Sequence, residues 1–567
     1  MMAESEENNS REKAQVAAEN HLVDVEPEDE QTRSAATWKP VSVRPLTVGI
    51  LAILQLVPVI VLEILLQRSK LAPLAFDTSD SSSYAAWQYP AMAFFLVDGL
   101  LWEVVYARIC QLESFYQLSQ PGGASLENSL AMSYIDMITF LVPVKSAMVH
   151  HWSVFLASVV YLATFTLAPL FTRLAWILVW PEAYSVAIVI VLPSEPWCRA
   201  LEVLCVLSAA CGLGLAVIQK RRSGLLSEIS SIEDLGRLIC DSAEFLSLLK
   251  KIPSHADSKA IQRALQHCRF RLLYKQNRLE LVAFQSSNTT SIPATIGIRN
   301  TSFDAHPFGL FASVIWTVEL MVIGVYLPIA LLSRFPPDDF EPDILRSLFT
   351  ALLLINTISW SGIQSSLNAI LPFAFMTASR QSKEPRVRSH ESLNHIRQRF
   401  TSGSSLLQIT AGSTPCLMAL CGSLNLQLMI LLVNPLWDSA LSIIKKQGLD
   451  APVPGCLSGP AMLAQILSYI APILSFAAFI NALLYRRIFA PRKPNTMISK
   501  MIYLCRGERL LQDVREGRVS NESTTDGCYS FGWLQDREGQ WFVGVDRRVS
   551  VAKEYKKVDE IGPEAEG

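Results

Sequence analysis

Asp98 lies inside an apolar run at 89–107, and Asn356 stands 258 positions later inside a second apolar run. A carboxylate near the centre of a bilayer costs about 2.5 to 3.5 kcal/mol on insertion scales, so such a residue should face protein and not lipid. Two chemistries suit the pair: a polar path for a solute or a proton, or a hydrogen-bonded contact that fixes helix packing. Glu63, Glu103, Glu202 and Glu319 lie nearer helix ends or have no counterpart at the same offset. The adjacent pair His150 and His151 could hold a metal or a proton, or sit solvated at a helix end; the other six histidines are scattered. Cys198 and Cys456 each follow a proline by two positions and fall in expected outer loops, so they are either a disulfide joining two halves or two unrelated thiols. Bridging requires Cα atoms within about 7 Å. The other cysteines fall in apolar segments or on the expected cytoplasmic side, where Cys behaves as a small apolar residue. There is no HExxH, paired CxxC, P-loop or GxSxG motif, so no catalytic, cofactor or metal site is assigned and no enzyme is expected.

These residues must be positioned by membrane helices. Half of the residues are apolar and 18% are charged, a balance unusual for a soluble chain of 567 residues. Windows long enough to cross a ~30 Å hydrocarbon core occur at 46–66, 89–107, 152–171 and 200–218, and again at 310–332, 344–363, 414–433 and 461–485. The stretch 174–192 is apolar too, but Pro181 and Glu182 interrupt it, and it reads as an outer interfacial or re-entrant segment. The expected fold is an all-α transmembrane bundle of about eight helices.

The two halves repeat. WEVVYARICQLESF at 102–115 realigns on WSGIQSSLNAILPF at 360–373, an offset of 258. Arg221 and Arg222 return as Arg486 and Arg487 at offset 265, and Pro58 returns as Pro328 at offset 270. Three landmarks in one order imply two parallel four-helix repeats. The expected organisation is an acidic tail at 1–37, a first repeat at 38–222, a module and linker at 223–307, a second repeat at 308–487 and a C-terminal module at 488–567. The tail is too polar to bury a core and should be disordered.

Basic residues gather before the first window, in the central linker, at 379–410 and after the last window. The positive-inside rule then places both termini and both modules in the cytoplasm, with the organelle left open. The sequons at Asn8, Asn288, Asn300 and Asn521 all fall on that side and should carry no glycan. No cleavable leader opens the chain, so the first helix would serve as the insertion signal.

Each module reads as a helix followed by a β-hairpin. SSIEDLGRLICDSAEFLSLLKKI spaces its apolar residues at three and four, and CRFRLLYKQNRLELVAF and CYSFGWLQDREGQWFVGV alternate around turns. An isolated hairpin is marginal in water, so the two hairpins should pair with each other or lie against the helices. The entry TWKPVSVRP, the run QLESFYQLS, and the exit PRKPNTMISKMIYLC with its YSFGWLQDREGQWFVGVD tail resemble a fungal integral-membrane family known as a duplicated domain of unknown function. The resemblance implies a fold and a fungal source but no activity.

Two functions follow as expectations. One is a membrane scaffold or accessory protein, of the kind a fungal secondary-metabolite pathway uses, that binds cytoplasmic proteins or anionic lipid through its modules and basic loops. The other is a solute transporter with its site at the repeat interface. The bilayer is the one partner expected in either case, and no nucleic acid is expected.

Overall fold

The computed structural model describes residues 38–71, 74–77, 81–134, 137, 139–179, 188–229, 231–254, 256–275, 278–285, 372–373, 376, 492, 494–519, 529–535 and 541–547. The acidic tail, the four apolar windows of the second half, the 379–410 loop and all four sequons lie outside these residues.

Four long helical segments cross one another in the first half. They are α1 (Pro45–Leu54) running into α2 (Leu56–Leu71), α3 (Ser81–Leu118), α5 (Trp152–Leu162) running through a π-helical segment (Ala163–Leu167) into α6 (Ala168–Leu174), and α7 (Glu195–Ile218). The short α4 (Val142–Met148) precedes α5. Among the described residues three segments are long and apolar enough to cross a membrane: Pro45–Leu71, Trp152–Thr172 and Glu195–Ile218. Their outward faces are apolar: Leu46 is 76% exposed, Ile50, Ile53 and Ile64 close to 60%, and Val203, Leu207 and Val217 similarly open. Apolar side chains at helical spacing on the outside of a bundle need a hydrocarbon solvent.

Helix interruptions have sequence causes. Pro58 has no N–H to give the Leu54 carbonyl, and the helix breaks at Gln55. Pro169 likewise cannot bond the Phe165 carbonyl, and the chain there widens into the π segment. At 174–192 the expected interfacial segment is a pair of strands, β3 (Trp176–Val179) and β4 (Ile188–Pro193). β4 also pairs antiparallel with β1 (Leu74–Asp77), giving sheet order β1-β4-β3. This corrects the all-helical expectation: β3 and β4 pair with each other, and β1, 111 to 117 positions from its partners in β4, supplies further hydrogen bonds that the proline-broken stretch could not make as a helix.

Beyond α3 the chain leaves the bundle. β2 (Ala124–Ser125) pairs with β5 (Cys268–Lys275), which pairs with β6 (Arg278–Gln285). Gly123 has a φ of 61°, and a Cβ there would sit 2.7 Å from the Phe270 carbonyl oxygen, so the turn into β2 requires glycine. The expected single amphipathic helix is two, α8 (Ile232–Asp241) and α9 (Ala243–Lys250), followed by α10 (Ser258–Leu265). A capping box starts α8: the Asp234 N–H donates to Ser231 Oγ while the Ser231 N–H donates to Asp234 Oδ2. Ser242 ends it, because its hydroxyl donates to the Leu238 carbonyl and accepts from the Leu281 N–H of β6. The C-terminal module contains α11 (Met497–Leu504), α12 (Glu508–Arg515) and the hairpin β7 (Tyr529–Gln535) with β8 (Trp541–Arg547). Among the described residues the two hairpins do not pair with each other; the first extends a sheet with β2, and the helices of the two modules pack together instead.

Candidate functional site

Asp98 sits on α3 with 1% of its surface exposed, and Gln55, at the break between α1 and α2, is fully buried. The Gln55 Nε2 donates to Asp98 Oδ2. The sequence pointed to Asn356 as the partner, which lies outside the described residues, and the structure supplies Gln55. The available signal was small: Gln55 is the polar residue nearest the middle of the 46–66 window. Glu202, on α7, is buried and ion-paired with Arg199 at 2.7 Å, and Arg199 also reaches Glu63.

One end of the bundle closes around a second buried carboxylate. Glu113, fully buried near the end of α3, accepts hydrogen bonds from Arg221 and from the Ser153 hydroxyl at the start of α5. The Arg221 guanidinium lies 3.8 Å from the centre of the Tyr116 ring, and the Tyr116 hydroxyl donates to Gln219 Oε1 at 2.9 Å. Lys39 donates to the carbonyls of Gln219 and Arg221. The start of α1, the end of α3, the start of α5 and the end of α7 are therefore held in one polar knot. At the other end, the three-stranded sheet gathers the strands that flank α2, α6 and α7.

The histidines separate. His151 is 2% exposed and shares a 2.8 Å hydrogen bond between Nδ1 and the Tyr134 hydroxyl; His150 is exposed and turns the chain from α4 to α5 with a φ of 60°. Only His150 matches the solvated-end expectation. Cys198 stands in the first turn of α7 and not in a loop, because the helix begins at Glu195, five residues before the apolar window. Its buried thiol lies 3.8 Å from the Ala175 carbonyl. Cys456 lies outside the described residues.

The contacts between the two modules form the largest constellation that the sequence did not reveal. Arg492, read from charge patterning as a basic flank, is 3% exposed. Its guanidinium donates to the carbonyls of Ser254 at 2.7 Å and Ala256 at 2.9 Å, and reaches that of Ser499 at 3.4 Å. It stacks 4.3 Å from the centre of the Tyr503 ring. Burial pulls this guanidinium below the usual arginine range, with Tyr503 opposing. The Ser254 hydroxyl accepts the Val543 N–H of β8 at 2.8 Å, so one short loop of the first module serves two elements of the second. Cys240 of α8 donates its thiol to the Leu511 carbonyl of α12 at 3.2 Å. Phe373 packs edge-on against Phe531 and near Tyr503, with ring centres 5.4 Å and 6.1 Å away. The Ile498 N–H donates to the Leu130 carbonyl, which ties this core to the chain leaving α3. One hydrophobic cluster runs without a gap from Trp102 and Phe115 through Leu235 and Phe245 to Tyr503, Leu510 and Val543.

Within the second module, Asp546 accepts the Leu510 and Arg547 N–H groups at 2.9 and 2.8 Å. Burial pushes its carboxyl up to about 6, against the lowering effect of those two donors. The Tyr529 hydroxyl donates to Asp513 at 2.8 Å, and burial followed by that carboxylate raises its pKa well above the ordinary tyrosine value.

A family model described as a protein of unknown function (DUF3433) matches residues 85–176, from α3 to the start of β3. That span holds Asp98, Glu113, Tyr134, His151 and Ser153. No curated protein and no solved structure matches the chain.

Proposed function

We propose that this chain is a non-enzymatic, multi-pass membrane scaffold whose working part is a composite cytoplasmic platform built from both modules. The observation that carries the reading is the junction at Arg492: residues that follow the first repeat and residues that follow the second close one core, so neither module is a free arm. A platform fixed to a bundle through Leu130 and Ile498 presents a rigid surface, as a scaffold requires. Its partners would be a cytoplasmic protein or anionic lipid.

The reading includes a tandem duplication with both termini in the cytoplasm. In its support, α8 and α11 begin 265 positions apart, at Ile232 and Met497, and so do α9 and α12, at Ala243 and Glu508. In each module the helix pair precedes a hairpin. Phe115 and Phe373, 258 apart, both enter the shared core. The fungal source and the pathway role rest on the sequence resemblance alone.

The second reading, a transporter, is favoured by the buried Asp98 and the interrupted helices around it. Complementation separates the two. Cells lacking the chain would be restored with wild type, with Asp98→Asn, or with a chain ending at Pro491, and metabolites would be compared inside and outside. The scaffold reading expects Asp98→Asn to restore the wild-type pattern and the truncation to fail. One solute that changes compartment with Asp98→Asn, while the truncation restores it, would replace the scaffold by a transporter.

A further inference from the structure

Among the described residues Asp98 is a carboxylate without a cation. Among the described residues it makes no ion pair; the hydrogen bond from Gln55 satisfies Oδ2, while Oδ1 is buried with no partner. The Gln55 Oε1 is likewise buried and unpartnered, as is the Nε1 of Trp102, one turn along the same face of α3. An ionised carboxylate in a low-dielectric interior is untenable alone and must acquire a positive charge, either a proton on its own oxygen or a metal cation beside it.

The surrounding backbone supplies oxygen of the right kind. The helix breaks at Gln55 and widens into the π segment at 163–167, where Pro58 and Pro169 have no N–H to give a carbonyl of the preceding turn. Both interruptions lie against the Asp98 turn: Gln55 bonds Asp98 directly, and a Cβ on Gly99 would stand 2.8 Å from Phe165 Cδ2 and 3.1 Å from its Cα. Broken membrane helices whose freed carbonyls stand beside a buried carboxylate are a recurrent cation-binding arrangement. Among the described residues, the titratable groups on the packed helices do not supply the missing charge. Cys205 and Glu202 on α7 are neutral or acidic, Glu202 already holds Arg199, and Tyr106 of α3 stacks on Tyr161 of α5.

We propose that Asp98 and Gln55, with the helix interruptions at Gln55 and Ala163–Leu167, form an intramembrane site for one small monovalent cation, a proton or Na⁺. Carboxylate, amide and carbonyl oxygens suit a hard ion. The site holds whether the chain is a scaffold or a transporter, since it concerns occupancy and not movement.

The test uses the full-length protein in lipid nanodiscs, with NaCl titrated against choline chloride at constant ionic strength. Thermal unfolding is followed alongside the infrared C=O stretch of protonated carboxyl groups. A Na⁺ site raises the unfolding temperature with NaCl and not with choline, and the rise is lost in Asp98→Asn. A proton site shows no Na⁺ response and a protonated-carboxyl band at neutral pH that Asp98→Asn removes and Asp98→Glu shifts. Should Asp98→Asn fail to fold, the wild-type salt response and the Asp98→Glu band still decide the matter. Wild-type protein with neither a Na⁺ response nor a protonated-carboxyl band overturns the site, and so do signals that neither substitution alters.

Discussion

The guanidinium of Arg492 donates to the carbonyl of Ser254 across 238 positions of sequence, and it does so from a fully enclosed setting. A cation spent on backbone carbonyls inside a protein is costly to place and costly to remove, because each abandoned carbonyl loses its partner where water cannot replace it.

Arg492→Ala should therefore separate the two modules. Leaving buried carbonyls of Ser254 and Ala256 unpaired costs on the order of 3 kcal/mol. The expected readout is thiol labelling of the full-length protein: Cys505, fully buried, and Cys240, 8% exposed, become reactive toward maleimide. Arg492→Lys should label at an intermediate rate, since an ammonium cannot span carbonyls that a planar fork reaches together. Unchanged labelling in Arg492→Ala would remove the clamp from the account.

Gly507 connects α11 to α12, and a Cβ there would sit 2.1 Å from the Val545 carbonyl oxygen of β8. Backbone cannot step aside as a side-chain tip can, so Gly507→Ala should force the helix pair off the hairpin, at roughly 3 kcal/mol or more. Hydrogen exchange at β8 should accelerate while exchange in α1 to α7 stays as in wild type.

Asp546 should make the C-terminal module sensitive to pH. Its folded-state pKa of about 6 lies above the ordinary aspartate value of 3.8, so the fold favours the protonated form. Stability from this group is fully present below about pH 4 and is lost as pH rises through about 6. Asp546→Asn keeps an oxygen for the Leu510 and Arg547 N–H groups and removes the charge. It should flatten the dependence of the unfolding temperature between about pH 4 and pH 7 and raise stability near neutrality by about 1 kcal/mol or more. A variant whose profile parallels wild type would show that Asp546 titrates normally.

The sequence made visible whatever depends on local pattern. The windows at 46–66, 152–171 and 200–218 fall on helices because a run of apolar residues has few other ways to satisfy its backbone in lipid. Both hairpins appear where alternation and turn residues placed them. The larger misses are long-range. Strands β3 and β4 needed β1, which belongs to a different connection. Charge patterning counts Arg492 as a flank because it registers sign and position, whereas burial depends on Ser254 and Tyr503. Gln55, which touches Asp98 from 43 positions before it, stood outside the repeat offset that singled out Asn356, and Asn356 itself lies outside the described residues.

Gly212 tests whether the membrane bundle packs as closely as its small residues imply. A Cβ there would lie 2.7 Å from the Ala52 Cβ and 3.1 Å from Trp102 Cη2, so α1 and α7 meet at a point where one side must lack a side chain. Gly212→Ala should push the helices apart and cost about 1 to 3 kcal/mol, as overpacking does. If the contact with Ala52 is the cause, Ala52→Gly in the same chain returns the missing methyl's space, and the double variant should regain most of the loss in unfolding temperature. The two substitutions are then non-additive, which is the signature of direct contact. Additive losses would mean that the two substitutions act on their helices separately and that α1 and α7 do not meet at this point.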